Sequence, residues 1–241
     1  RDKFPRVSRI DDGSWRRHRP RRRLTVAVVI AVDGPAASGK GTLARRLAAE
    51  LGYAYLDTGL LYRAVGLSLI RAGEYPGDAF AAKVVVENLK VADMDFSDPT
   101  LRDEETGRAA GIVAANPAVR EALIDLQRNF AAAPPHAALG AVLDGRDIGT
   151  VICPDADYKF FIDADIGVRA ERRVKELQEK GDPSIPSRVL QDMKERDHRD
   201  RTRAVAPLAP AADASVIDTT NLDRKSTRLN SSHRCISYAV F

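Results

Sequence analysis

The stretch VAVVIAVDGPAASGKGT, residues 26–42, decides how the rest of the chain is read. Residues 26–32 are apolar and largely β-branched, which predicts a buried strand; Asp33 ends it and a glycine-rich turn follows. Over residues 42–50 the apolar positions return at helical spacing. Gly34 and Gly39 bracket Pro35, Ala36, Ala37 and Ser38, and Lys40 comes next. Strand, glycine turn, lysine and helix in this order predict a phosphate cradle. The loop turns its backbone N–H groups inward, and the helix adds unpaired N–H groups and the positive end of its dipole. Lys40 then reaches the outer phosphates of a nucleotide. The usual pattern has Ser or Thr directly after the lysine. Here Gly41 stands there and Thr42 follows, so Thr42 is the candidate Mg2+ ligand. An ordinary glycine-rich turn needs neither the lysine nor the hydroxyl.

Downstream, residues 53–56 read as a short strand, Asp57-Thr58-Gly59 as a turn and helix cap, and residues 60–70 as a helix with Arg63 in its first turn. That arrangement can hold a small anion beside an arginine, and a plain capped helix explains it equally well. Residues 72–110 form the least regular part: a helix over 79–89, then a polar, acidic stretch over 93–107. A small peripheral insertion, packed beside the main sheet and more mobile than the rest, is expected there. Helices over 109–115 and 117–133 are separated at Asn116-Pro117, with Arg120 near the start of the second.

Residues 141–144 form a second buried strand ending in Asp144, followed by Gly145-Arg146-Asp147. In α/β proteins ligands gather beyond the C-terminal ends of parallel strands, so this segment is expected to meet the phosphate loop across the sheet edge. Asp144 is then placed to hold the magnesium hydration shell through water, and Arg146 and Asp147 to touch a substrate. A strand over 158–163 leads into a charged helix over 165–180, where Arg169, Arg172 and Arg173 share a face. They repel one another unless an acid or a polyanion lies opposite. A further helix, from 186 or 187 to about 201, places Arg196, Asp200 and Arg203 on one stripe, which fits a ligand with hydroxyls and a phosphate. Residues 214–220 give the last strand.

Composition narrows the function. The chain has 241 residues, two cysteines (Cys153 and Cys235), and no apolar run near the roughly 18 to 20 residues of a membrane span. A reducing, cytoplasmic setting and no disulfide framework follow as expectations. The net charge is +4, but residues 1–23 carry +7 and residues 224–241 carry +4, which leaves −7 for residues 24–223. An acidic body argues against a domain whose work is holding a nucleic-acid backbone. The leader, residues 1–23, is expected to be disordered or non-native. Residues 224–241 lack the amphipathic period of the closing helix that an α/β ATPase should have, and read as a non-native tail.

A guanine-reading N-K-x-D segment is absent from the sequence, which speaks against a switch GTPase. Arginines are instead spread over several downstream segments, an arrangement that suits two phosphorylated substrates bound end to end. Phosphoryl transfer between such partners needs positioning and charge stabilisation more than acid–base work.

The motifs DGPAASGKGT (33–42), LDTGLLYR (56–63), DGRDIGT (144–150) and KERDHRDRTRAVAPLAPAADA (194–214) together resemble the bacterial cytidylate kinases, over about residues 25–223. The resemblance implies an α/β fold: a P-loop NTPase core with a parallel sheet flanked by helices, a short monophosphate-binding insertion (about 72–110) and a small lid (about 165–190). It implies transfer of phosphate from ATP to CMP or dCMP with Mg2+, by a cytoplasmic monomer with no membrane or specific nucleic-acid partner. Carried over, it places residues 34–42 around ATP, with Lys40, Arg146, Arg169, Arg172 and Arg173 at the transferred group. Arg63, Arg146 and Arg203, with Asp57 and Thr58 nearby, surround the CMP phosphate; Arg196 and Asp200 meet the ribose; Arg120 and Asp147 meet the cytosine edge. One departure is Gly111, which stands where the family commonly has a base-reading serine. A kinase of UMP or another small phosphorylated metabolite is therefore one alternative, and a nucleic-acid-stimulated NTPase with basic ends is the other.

Overall fold

The computed structural model describes residues 27–88, 96, 98–181 and 183–222. The expectations for the leader, the tail and a closing helix lie outside the described residues.

Strand β1 (Val28–Asp33) runs through the middle of the molecule, with Ile30, Ala31 and Val32 shut off from solvent. It is flanked by β3 (Gly140–Gly145) and β4 (Tyr158–Asp163); β2 (Ala54–Asp57) and β5 (Ser215–Asp218) form the edges, in the order β2-β3-β1-β4-β5. Every pairing is parallel. Parallel neighbours require crossovers, and the helices supply them. Each strand carries an aspartate at its C-terminal end: Asp33, Asp57, Asp144 (followed by Gly145), Asp163 and Asp218. The register sets Asp57 opposite Asp144, Asp33 opposite Gly145, and Asp163 opposite Asp218. Carboxylates therefore line the one sheet edge from which the phosphate loop emerges.

Helix α1 (Lys40–Leu51) follows that loop. Helix α2 (Thr58–Ala72) starts directly after β2, two residues earlier than its apolar pattern suggests. No separate turn is needed, because the Thr58 hydroxyl donates to the Asp144 carbonyl (2.8 Å) and draws the first helical residue onto β3. Helix α3 (Ala79–Glu87) is capped by Asp78, which accepts from the Phe80 and Ala81 N–H groups. The expected peripheral placement does not hold for α3. Its Ala82 and Val86 join Leu61, Val65, Leu69, Val113 and Leu123 in the main core.

Helix α4 (Glu104–Val113) corrects a second expectation, for it begins five residues before the apolar pattern appears. Glu104 and Glu105 favour the positive end of the helix, and Glu104 pairs with Arg108 at 3.4 Å. Those polar residues look like loop when only apolar spacing is counted. Helix α5 (Pro117–Ala132) starts as its sequence predicts, with Asn116 accepting from Ala118 and Val119 N–H and Pro117 in the first turn. Helices α6 (Ile166–Glu179) and α7 (Pro186–Thr202) pack on each other through Ala170, Val189 and Met193, against Ala36 and Ala37 of the phosphate loop. A wide turn at Ile148–Ile152 connects β3 towards β4.

Candidate active site

The phosphate loop is held from outside. Gly34 has φ 149°, and a Cβ there would lie 2.0 Å from the Ile162 carbonyl oxygen, so only glycine fits. The Ala36 carbonyl accepts from Arg169 Nη1 (3.3 Å) and the Ser38 carbonyl from the Thr219 hydroxyl (2.8 Å). Across a trans peptide the next N–H points the opposite way, so the Ala37 and Gly39 amides turn towards the inside of the loop. Ser38 is fully buried and its hydroxyl has no hydrogen-bond partner among the described residues. Lys40 opens α1, and its ammonium lies 3.7 Å from Asp144 Oδ1. Burial, then the positive charge of Arg146, pushes its pKa down to about 8.

Asp144 is 4% exposed. Its Oδ2 accepts from the Tyr55 hydroxyl at 3.3 Å, while Oδ1 is buried with no hydrogen-bond donor, only the more distant Lys40 ammonium. Burial raises the carboxyl pKa and Lys40 pulls it down. A Cβ at Gly41 would sit 2.8 Å from Oδ2, so the glycine in place of the usual Ser or Thr lets the carboxylate come close to the start of α1. A hard cation suits the under-satisfied Oδ1. Thr42 lies on the exposed side of the first turn. Among the described residues no group of three His, Cys, Asp or Glu forms a metal site by itself, so an ion here would draw its other ligands from phosphate oxygens and water.

Beyond β3, Arg146 bonds Asp200 of α7 through Nε at 3.1 Å. Burial works against the Asp200 charge, yet Arg146 and Arg196 outweigh it and hold its carboxyl below the usual range. Burial, then Arg146, lowers Arg196 to about 10. Arg63 donates to the carbonyls of Leu101 (2.8 Å) and Asp103 (3.1 Å), and a Cβ at Gly107 would lie 2.8 Å from its guanidinium. Asp57 stands at the N-terminus of α2, beside Thr58.

A second group adjoins the first through Arg203, whose charge meets both Asp147 and Asp200. Arg120 and Asp147 are 3% and 6% exposed and form a tight ion pair, which Arg203 approaches at 3.6 Å from Asp147. The Arg120 guanidinium also lies over the Tyr62 ring, 5.9 Å from its centroid. Segment 144–147 thus joins Lys40, Arg146, Arg196 and Asp200 to the Arg120–Asp147–Arg203 group. It does so at the C-terminal edge of the sheet, where β3 and β1 end side by side.

The three arginines of α6 separate. Arg169 is buried and donates to the Ala164 carbonyl (2.8 Å), the Ala36 carbonyl and Asp197 (2.6 Å). Arg172 donates to the hydroxyl and carbonyl of Thr219. Arg173 pairs with Glu176 at 2.9 Å, and its charge reaches Arg63 and Arg196. Tyr55 and Thr219 carry no motif that marks them in the sequence, and Asp197 stands without an assigned role inside the 194–214 motif. Tyr55 shares a face of β2 with Asp57, and Thr219 directly follows β5; neither side chain carries a charge that would mark it.

With this geometry in place, the comparisons are direct. The sequence profile described as "Cytidylate kinase" matches residues 30–227. The chain is 59% identical over 198 residues to a cytidylate kinase of Paramagnetospirillum magneticum, covering 82% of this chain and 92% of that one. It is 56% identical over 195 residues to that of Rhodospirillum rubrum, covering 81% and 91%. To that of Afipia carboxidovorans it is 54% identical over 196 residues, covering 81% and 91%. A phosphate loop facing an arginine-rich second site, in a chain more than half identical to these proteins along most of its length, has one place to go: it belongs to the cytidylate kinase family.

Proposed function

We propose that the chain transfers the γ-phosphate of ATP to CMP or dCMP, giving ADP and CDP or dCDP. The observation that carries this reading is segment 144–147, which reaches Lys40 through Asp144 and the Arg120–Asp147 pair through its other end. A donor phosphate chain and an acceptor base would then meet opposite ends of one short segment. Residues 34–42 hold the ATP phosphates, with Lys40 on the outer ones. Arg63, Arg146 and Arg203 take the CMP phosphate with Asp57 and Thr58 beside it, Arg196 and Asp200 the ribose, and Arg120 with Asp147 the cytosine edge.

In the reaction the acceptor is already a phosphate oxyanion, so proton removal is minor and charge repulsion is the main obstacle. Arg146 lies between the two phosphates and offsets that repulsion; Arg173 adds a second guanidinium from α6. Arg169 and Arg172, with the rest of the lid at about 165–190, close over the transferred group and exclude water, which limits hydrolysis. Asp144, through water, and Thr42 would hold Mg2+, which when bound neutralises charge on the β- and γ-phosphates. Residues 24–223 form the kinase domain, with the monophosphate-binding insertion at about 72–110. The enzyme acts as a monomer in the cytoplasm, without membrane or specific nucleic acid; among the described residues no helix is long and apolar enough to cross a membrane.

Gly111 supports a second reading, a kinase of UMP or a related monophosphate. A coupled assay with ATP, Mg2+ and a panel of nucleoside monophosphates decides. CMP and dCMP should show the highest kcat/KM; UMP at or above CMP would establish the second reading, and no turnover of either would reject both.

A further inference from the structure

We infer that Asp33 is a positioning residue for the acceptor site, anchoring the loop that carries Arg146 and Asp147 to the strand that feeds the phosphate loop. Asp33 is the last residue of β1 and directly precedes Gly34. It is 4% exposed, and each carboxylate oxygen takes one backbone donor: Oδ1 from Ile148 N–H at 2.9 Å and Oδ2 from Gly149 N–H at 2.8 Å. These two amides open the wide turn that follows Asp147. The turn closes on itself through the Asp147 carbonyl, which accepts from Val151 (2.9 Å) and Ile152 (3.1 Å), and through Cys153 N–H to the Ile148 carbonyl (2.7 Å). Its first N–H groups need a partner from elsewhere, as at any helical N-terminus. Asp33 supplies it from more than a hundred residues away.

The anchor point is what gives this contact its consequence. Ile148 is the residue directly after Asp147, and two after Arg146. The Ile148 side chain is fully buried in the main core, so the amide bond to Asp33 and the side-chain packing fix this point of the loop from two directions. A buried carboxylate is costly unless hydrogen-bonded, and here Asp144 and Asp147 add like charge, with the Lys159 stem packed on the same side of Gly149 as Asp33 Oδ2 and Cys153 nearby. Burial, with the Asp147 and Asp144 charges, raises its pKa to about 6 in spite of the two N–H bonds. An apolar residue would avoid that cost for the fold alone; only an acceptor group holds the two amides.

This inference rests on the proposed CMP site, and its test separates the two. Asp33→Ala and Asp33→Asn, each in the full chain, are compared with the parent by steady-state kinetics for both substrates, by calorimetric titration with CMP and by thermal melting. Asp33→Ala should raise KM and Kd for CMP about ten-fold or more while leaving KM for ATP within about two-fold. Asp33→Asn keeps the volume and one acceptor oxygen, and should show a smaller rise in the same direction. An unchanged CMP affinity in a folded variant overturns the inference, and so does an equal rise in both KM values, which would make Asp33 a general support of the phosphate loop. Failure of both variants to fold would make it a structural residue only. If the parent itself neither binds nor phosphorylates CMP, it is the proposed function that fails.

Discussion

Lys40 holds its charge where burial and Arg146 oppose it, and a bound polyphosphate would reverse that balance. In the free protein its pKa of about 8 means that the cation fades as the pH rises. With CMP saturating, kcat/KM for ATP should therefore fall above about pH 8, and Lys40→Arg, which stays charged, should lose that limb of the pH profile. The sign for stability is opposite. A folded pKa below the unfolded 10.5 means the native state binds fewer protons between about 8 and 10.5, so the contribution of this group to stability grows as pH rises through that window. The Arg120–Asp147 pair makes a different demand. Both side chains are almost wholly buried, so Asp147→Ala leaves a guanidinium without its main partner. Urea denaturation should show a loss of roughly 3–5 kcal/mol, and a second change, Arg120→Met, should recover most of it. A loss below about 1 kcal/mol would mean that solvent reaches the pair.

Elements decide how these residues meet. Gly66 lies where α2 crosses α4, and a Cβ there would come within 3.0 Å of the Ala109 Cβ and the Ala110 N. Gly66→Val should overpack the crossing and cost about 1–3 kcal/mol by thermal or chemical denaturation. Gly111, one turn after Gly107 on the same helix, faces open space instead. Gly111→Ser should fold at least as well, gaining about 0.5 kcal/mol in helix propensity. If its hydroxyl reaches the base, the ratio of kcat/KM for CMP over UMP should rise about 3- to 10-fold; an unchanged ratio would remove Gly111 from the specificity argument. The strands and most helices were legible because β1, β3 and β4 are apolar runs ended by Asp, and because Asn116-Pro117 and Asp165 mark helix starts by their chemistry. The start of α4 was not legible, since its first turn is stabilised by charge and carries no apolar residue. Charged site residues stood out wherever a motif framed them. Their pairing did not: nothing in the spacing of Arg169, Arg172 and Arg173 says that the first two bond to the Ala36 carbonyl, Asp197 and Thr219.

At the scale of the molecule, residues 24–223 carry −7 overall while their arginines converge above the C-terminal ends of β1 and β3. In the proposed function this local concentration of positive charge serves small polyanions rather than an extended nucleic-acid backbone. The parallel order β2-β3-β1-β4-β5 makes this possible by setting the phosphate loop of β1 and the acceptor loop of β3 side by side. In the proposed function two nucleotides lie end to end between these two loops. That placement is tested most directly by calorimetric titration with a bisubstrate compound in which adenosine and cytidine are joined through a five-phosphate chain. The account predicts a Kd at least about a hundred-fold below that of ATP alone, with the advantage lost in Arg146→Ala while ATP affinity changes little. A compound that binds no more tightly than ATP, or an advantage that survives Arg146→Ala intact, would contradict it.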